Sequence, residues 1–212
     1  MAGVEAGTGP TLNFWDDHWD FRPEDCPCDV DFVAWLDEQG IREAAIYHFG
    51  TGGHHHVGIE CARPERRNNV LAITAAPREH EAFVQLAMRR PDVLRFYNAV
   101  FGDIYLLNER LLPEFDVVTL FHLCEFRSAA NDAYGGLTDL DVTRMLTRRL
   151  RPGGYMLFFP GSFAWDRAND SAKDVVAEWE RDGGVEQVGT FGSLLVYRKA
   201  GSPILSGSIE PE

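Results

Sequence analysis

Apolar residues recur at two spacings along this chain, and the two spacings alternate. Within residues 29–39, Phe32, Val33, Trp35 and Leu36 fall at helical spacing, and Gly40 supplies a stop. Short apolar runs at 44–49, 69–74, 94–101 and 115–123 predict four strands. Residues 77–90 predict a helix, with Pro77 in its first turn and Phe83, Leu86 and Ala87 on one face. A further helix is predicted at 137–150. There Val142, Leu146 and Leu150 stack one turn apart, and Thr138 with Asp141 makes a capping pair. Arg151-Pro152-Gly153-Gly154 stops it, and a fifth strand is expected at 155–159. After a helix at 170–181, strands at 185–190 and 193–198 meet at the short Phe191-Gly192 turn as an antiparallel hairpin. Strands alternating with helices specify a parallel sheet covered by helices on both faces. The expected fold is therefore α/β, a three-layer Rossmann-like arrangement of seven mostly parallel strands with a terminal antiparallel hairpin.

Glycine turns follow two of the strands. His48-Phe49-Gly50-Thr51-Gly52-Gly53 closes the first, and Phe101-Gly102-Asp103 closes the third. A ligand at the carboxyl ends of parallel strands approaches the backbone closely, and glycine permits this because it has no Cβ and tolerates positive φ. A dinucleotide fingerprint would need glycine at 55 and an acid at the end of the second strand; His55 and Thr74 stand there. With the Pro-Gly-Gly turn before the fifth strand and the closing hairpin, the order of elements over residues 32–199 resembles the class I S-adenosylmethionine (SAM)-dependent methyltransferases. The resemblance implies a cofactor site made by His48, Gly50, Thr51, Gly52, Gly53, Thr74, Asp103 and Ile104. It also implies that residues after the fourth strand face the transferred methyl. His122 there is a candidate general base with Glu125 to orient it, or else a structural histidine at a strand end.

The chain departs from that family's pattern at several places. The acid that opens the glycine motif is His48, the third glycine is His54, and the ribose-binding acid is Thr74. A threonine hydroxyl cannot give a bidentate charged acceptor, and losing a charge-assisted bond costs about 1.5–3 kcal/mol. Gly58 and Pro64 in the segment after the loop predict a short first crossover. Asp103 is retained and reads equally as an adenine contact or an ordinary turn residue.

His48, His54, His55 and His56 crowd one loop, and imidazole is a common metal ligand. Consecutive histidines on extended backbone face opposite ways, and no cysteine or carboxylate stands at a ligand spacing. Cys26-Pro27-Cys28 can join them only through folding. No metal is assigned, and His54 to His56 are expected to line a pocket or cap a turn.

Charge and composition narrow the partners. The 33 acidic against 20 basic residues give a net charge of −13, which disfavours nucleic acid. No apolar run approaches the roughly 18 residues of a membrane helix, and no leader is recognisable, so a soluble cytoplasmic protein is expected. Residues 1–12 and 201–212 read as disordered, and 13–40 as an aromatic segment plus helix on a domain spanning 41–200. Phe14, Trp15, Trp19 and Phe21 form a substrate lid or a staple to the sheet. The function expected is SAM-dependent methylation of a small-molecule acceptor. The alternative is a non-catalytic relative that binds another ligand or a protein partner.

Overall fold

The structure, a computed structural model, describes residues 9–17 and 19–201. Much of each expected terminal tail, residues 1–8 and 202–212, lies outside the described residues, as does residue 18. The elements in chain order are α1 (Cys28–Glu38), β1 (Ala45–Phe49), α2 (His56–Cys61), β2 (Asn69–Thr74), α3 (Pro77–Arg89), β3 (Tyr97–Phe101), β4 (Phe115–Leu120), α4 (Ala129–Ala133), α5 (Asp139–Arg149), β5 (Leu150–Phe158), α6 (Ala172–Arg181), β6 (Val185–Phe191) and β7 (Leu194–Lys199). One seven-stranded sheet has the order β3-β2-β1-β4-β5-β7-β6. All neighbours from β3 to β5 are parallel, and β7 runs antiparallel between β5 and β6. The order reverses between β1 and β4, and a crevice at the carboxyl ends of the strands is the usual ligand position at such a switch point.

Alternation along the strands divides the core in two. Tyr47, Phe49, Val118, Leu120, Met156 and Phe158 face α5 and α6 with Trp179 and Leu146. Ile46, Ala72, Val117 and Leu157 face the other way, against Phe32 and Leu36 of α1 and Val57 of α2. A strand buried on both faces reads as a near-continuous apolar run, and the first, second and fourth strands do so apart from His48 in β1, Asn69 and Thr74 at the ends of β2, and Asp116 and Thr119 in β4.

Local signals explain most boundaries. The capping box of Thr138 and Asp141 is formed at the start of α5, with Arg148 and Arg149 in its last turn. Pro77 opens α3, and Ser171 caps α6 through the Asp174 backbone N–H. The first crossover is short, as Gly58 and Pro64 imply: α2 has six residues.

Three expectations are corrected. The run at 94–101 divides, because 93–95 form a 3₁₀ turn and the strand begins at Tyr97. The fourth strand ends at Leu120, and residues 121–124 fold back as a turn in which Cys124 has φ +65°. The Pro-Gly-Gly turn does not precede β5 but lies inside it. Gly153 takes φ +79°, and a Cβ on Gly154 would lie 2.7 Å from the Asp116 carbonyl oxygen. The chain thus stays close to β4 across the glycines, with a register irregularity between Phe115 and Val117.

Candidate functional site at the strand ends

The glycine turn after β1 is shaped by two rings. Gly50 has φ +106° and Gly52 φ +54°. A Cβ at 50 would fall 2.3 Å from His122 Cδ2, and one at 52 would fall 2.4 Å from His54 Nε2. The turn is therefore pressed against His122 on one side and His54 on the other. Thr51, between the glycines, is buried.

At the end of β2, the hydroxyl of Thr74 donates to Glu79 Oε2 at 2.7 Å, and Thr51 donates to the same oxygen at 3.3 Å. Glu79 lies in the first turn of α3 and is buried. Burial raises its pKa, opposed by the two hydroxyls and the backbone N–H of Trp19. A buried carboxylate thus stands between the ends of β1 and β2, delivered from the helix instead of the strand. Glu79 is not among the site residues expected from sequence. Its signal was the Pro-Arg-Glu opening of α3, which puts a carboxylate one helical turn from the strand end.

Asp103, after β3, is also buried. Its Oδ1 accepts from Tyr105 N–H at 2.9 Å, and its Oδ2 from Asn131 Nδ2 at 2.7 Å and from the Tyr134 hydroxyl. A carboxylate offers about four acceptor positions, so three are in use. Ile104 is buried in the adjoining 3₁₀ turn.

The histidines do not converge. His48 points from β1 toward the α1 and α2 side, opposite Thr119 of β4 in register, and shares a 2.8 Å hydrogen bond with it through Nδ1. Its Nε2 is buried without a partner, and burial lowers its pKa to about 3. His55 is buried with Nε2 2.9 Å from the Glu79 carbonyl and Nδ1 2.7 Å from the Tyr97 hydroxyl. A carbonyl only accepts, so Nε2 carries the hydrogen and Tyr97 donates to Nδ1. His54 Nδ1 accepts from His56 N–H at 3.1 Å, which leaves Nε2 3.7 Å from Asp29 Oδ2. His56 stacks on Phe21 at 4.3 Å. These three serve the turn and its cover, and no two of them share a ligand position.

His122 is placed by the turn after β4. Its Nδ1 lies 3.1 Å from Glu125 Oε2, whose partner oxygen Oε1 accepts from Phe163 N–H at 3.1 Å. Its Nε2 lies 3.7 Å from Cys26 Sγ. Burial opposes charge on the ring, but the bonds to Cys26 and Glu125 outweigh it and raise the pKa. Cys26 is shifted down, chiefly by its contact with Cys28. Spacing alone leaves the Cys-Pro-Cys pair apart from any histidine, so no metal ligand is assigned from sequence. The fold brings that pair to His122, not to the histidine triplet.

The N-terminal aromatic segment crosses the strand ends. Trp15 N–H donates to the Ala75 carbonyl at 3.2 Å, and Gly53 N–H donates to the Trp19 carbonyl at 2.9 Å. Asn13 Nδ2 donates to the Phe126 carbonyl at 2.9 Å and to Asn131 Oδ1 at 3.0 Å. The segment therefore bridges from the β2 end to the turn after β4, over the glycine turn. Phe14, Trp15, Trp19 and Phe21 remain partly exposed, each 42–60% accessible, so the segment is a strap over the site and not part of the core.

No family model matches the chain, and no curated protein matches it in sequence. Solved structures do. SpnF, a [4+2]-cyclase, superposes with a TM-score of 0.61 at 13% identity, covering 95% of this chain and 90% of that one. Magnesium protoporphyrin IX methyltransferase (ChlM) from Synechocystis PCC 6803 with bound SAM gives 0.57 at 16%, covering 88% and 87%. A methyltransferase from Pyrococcus furiosus gives 0.53 at 14%, covering 85% and 88%. Together with the strand order and closing hairpin, these likenesses establish the class I SAM-dependent methyltransferase fold. Among the described residues, no helix is long and apolar enough to cross a membrane.

Proposed function

We propose that this chain binds SAM at the carboxyl ends of β1 and β2 and directs its methyl group to a small-molecule acceptor beside His122. The observation that supports the reading most is the buried Glu79 carboxylate, held by the hydroxyls of Thr51 and Thr74. A cofactor with a ribose diol needs a charged acceptor at this place, and the donor set provides one although residue 74 is not acidic. Gly50 and Gly52 give the turn after β1 the positive φ that shapes it beside the methionine and ribose portions, and Asp103 keeps one acceptor position for the adenine amino group. His48 supports the turn through Thr119. When bound, SAM supplies an electrophilic methyl on sulfur. Direct transfer rests on proximity and orientation, so it stands without a free base, even though both ring nitrogens of His122 have protein partners.

A second reading has its own support. The strap satisfies Gly53 N–H and the Ala75 carbonyl, groups that border the cofactor position. The fold also carries other chemistry, as the likeness to a [4+2]-cyclase illustrates. On this reading the chain is a non-catalytic relative that binds another ligand or a protein partner.

Isothermal titration with SAM and with S-adenosylhomocysteine separates the two. Micromolar binding of both by the wild type, weakened in Glu79→Ala, supports the methyltransferase. Absence of binding at millimolar ligand favours the second reading.

A further inference from the structure

Cys26 and His122 are 96 residues apart in sequence, yet their side chains meet beside the glycine turn. Cys26 Sγ lies 3.3 Å from Cys28 Sγ and 3.7 Å from His122 Nε2, and all three donor atoms lie within 4.8 Å of one another. Tetrahedral zinc, with Zn–S about 2.3 Å and Zn–N about 2.0–2.1 Å, sets its donors roughly 3.6–3.8 Å apart. Two of the three separations are within about half an ångström of that spacing, a difference that side-chain torsions absorb.

We propose that Cys26, Cys28 and His122 form a binding site for one zinc ion, with Glu125 as the residue that positions the histidine. Several features support it independently. Glu125 holds His122 Nδ1 at 3.1 Å, which leaves Nε2 as the ligand nitrogen and reproduces the carboxylate–histidine–metal arrangement. Glu125 is itself fixed by the Phe163 N–H. Pro27 restrains the backbone between the two thiols, and Cys28 is the first residue of the 11-residue helix α1, which fixes its position. Both cysteines are free, and Cys28 is fully buried. Two thiolates neutralise a divalent ion, and soft sulfur ligands with imidazole suit zinc. Three protein ligands leave a fourth tetrahedral position open, the pattern of catalytic zinc and not of structural zinc. A nucleophilic cysteine acting with His122 would need only Cys26; the second thiol at 3.3 Å is explained by metal ligation.

The test uses untagged full-length protein, purified reduced and without chelator, with bound zinc measured by elemental analysis. In parallel, metal-free protein is titrated with Co²⁺ and read by absorption. About one zinc per chain is expected, together with a thiolate-to-cobalt charge-transfer band and the strong visible bands of tetrahedral Co²⁺. Both signals are lost in C26S/C28S, persist in H54A/H56A, and show roughly 10–100-fold weaker affinity in Glu125→Gln. The proposal is overturned if folded, reduced wild type takes up neither metal, or if uptake survives in C26S/C28S. It is also overturned if iodoacetamide alkylates Cys26 at a rate that saturating zinc does not slow. SAM titration of the same samples reports separately: zinc uptake without SAM binding upholds the metal site while the cofactor reading fails.

Discussion

Substitution of Gly50 by alanine tests how the turn after β1 is built. The position has φ +106°, where an L-residue is strained by about 1–3 kcal/mol. The new methyl would also sit 2.3 Å from His122 Cδ2 and 3.1 Å from Nε2. That ring cannot swing freely, because Glu125 and Cys26 hold its two nitrogens. Displacing it adds an overpacking cost of about 1–3 kcal/mol. The sum is roughly 2–6 kcal/mol, and at about 2–4 °C per kcal/mol for a chain of this size the melting temperature falls by roughly 4–24 °C. Two other glycines calibrate the result. Gly135 has φ +70° and nothing within 4 Å of an added methyl, so Gly135→Ala carries the strain alone. At Gly102 the methyl would meet only Ile73 Cδ1, at 3.6 Å, so Gly102→Ala is close to neutral. Melting followed by circular dichroism should rank the variants Gly102→Ala, Gly135→Ala, Gly50→Ala in increasing severity. If Gly50→Ala melts with Gly102→Ala, the turn is not packed on His122 and the site geometry argued above is wrong.

Other perturbations have equally definite outcomes. Glu79→Ala removes the shared acceptor of Thr51 and Thr74, and affinity for S-adenosylhomocysteine should fall about ten- to a hundredfold, corresponding to about 1.5–3 kcal/mol, in calorimetric titration. Asn13→Ala removes two strap hydrogen bonds worth about 1 kcal/mol each, so residues 13–22 should be cleaved faster in limited proteolysis while the core fragment persists. His48 has its folded pKa depressed by burial from 6.5 to about 3. Its contribution to stability is complete above about pH 6.5 and is lost as pH falls toward about 3, with about 2 kcal/mol gone by about pH 5. Urea unfolding of the wild type should show this decline, and His48→Gln should flatten it; parallel curves would show that His48 is not the group responsible.

Much of the fold was legible because its determinants are local. The Thr138–Asp141 capping box, Pro77 at the head of α3 and the closing hairpin each act over a few residues, although the hairpin turn is Gly192-Ser193, one residue beyond the expected Phe191-Gly192, and the central strands are mostly apolar on both faces. The misread boundaries lie where tertiary contacts override local pattern. The fourth strand stops short of Phe121, despite the apolar run continuing, because the chain turns back there to carry His122 and Glu125. The Pro-Gly-Gly segment bulges out of register inside β5 yet stays close to β4, because Gly154 tolerates the approach to the Asp116 carbonyl. In the site, the turn glycines were readable from spacing. Glu79 was not, since a missing strand-end acid gives no indication that a neighbouring helix supplies one. Nor was the meeting of the Cys-Pro-Cys pair with His122, which depends on α1 docking on the sheet face that also buries Phe32 against Phe121.

The most direct test of the central claim is a crystal structure of the wild type grown with S-adenosylhomocysteine. The nucleoside is expected over the glycine turn, with its ribose hydroxyls on Glu79 and its adenine beside Asp103 and Ile104, and the strap rearranged where it meets Gly53 and Ala75. Ligand bound elsewhere, or a strap that keeps its contacts in protein saturated with ligand, would contradict it.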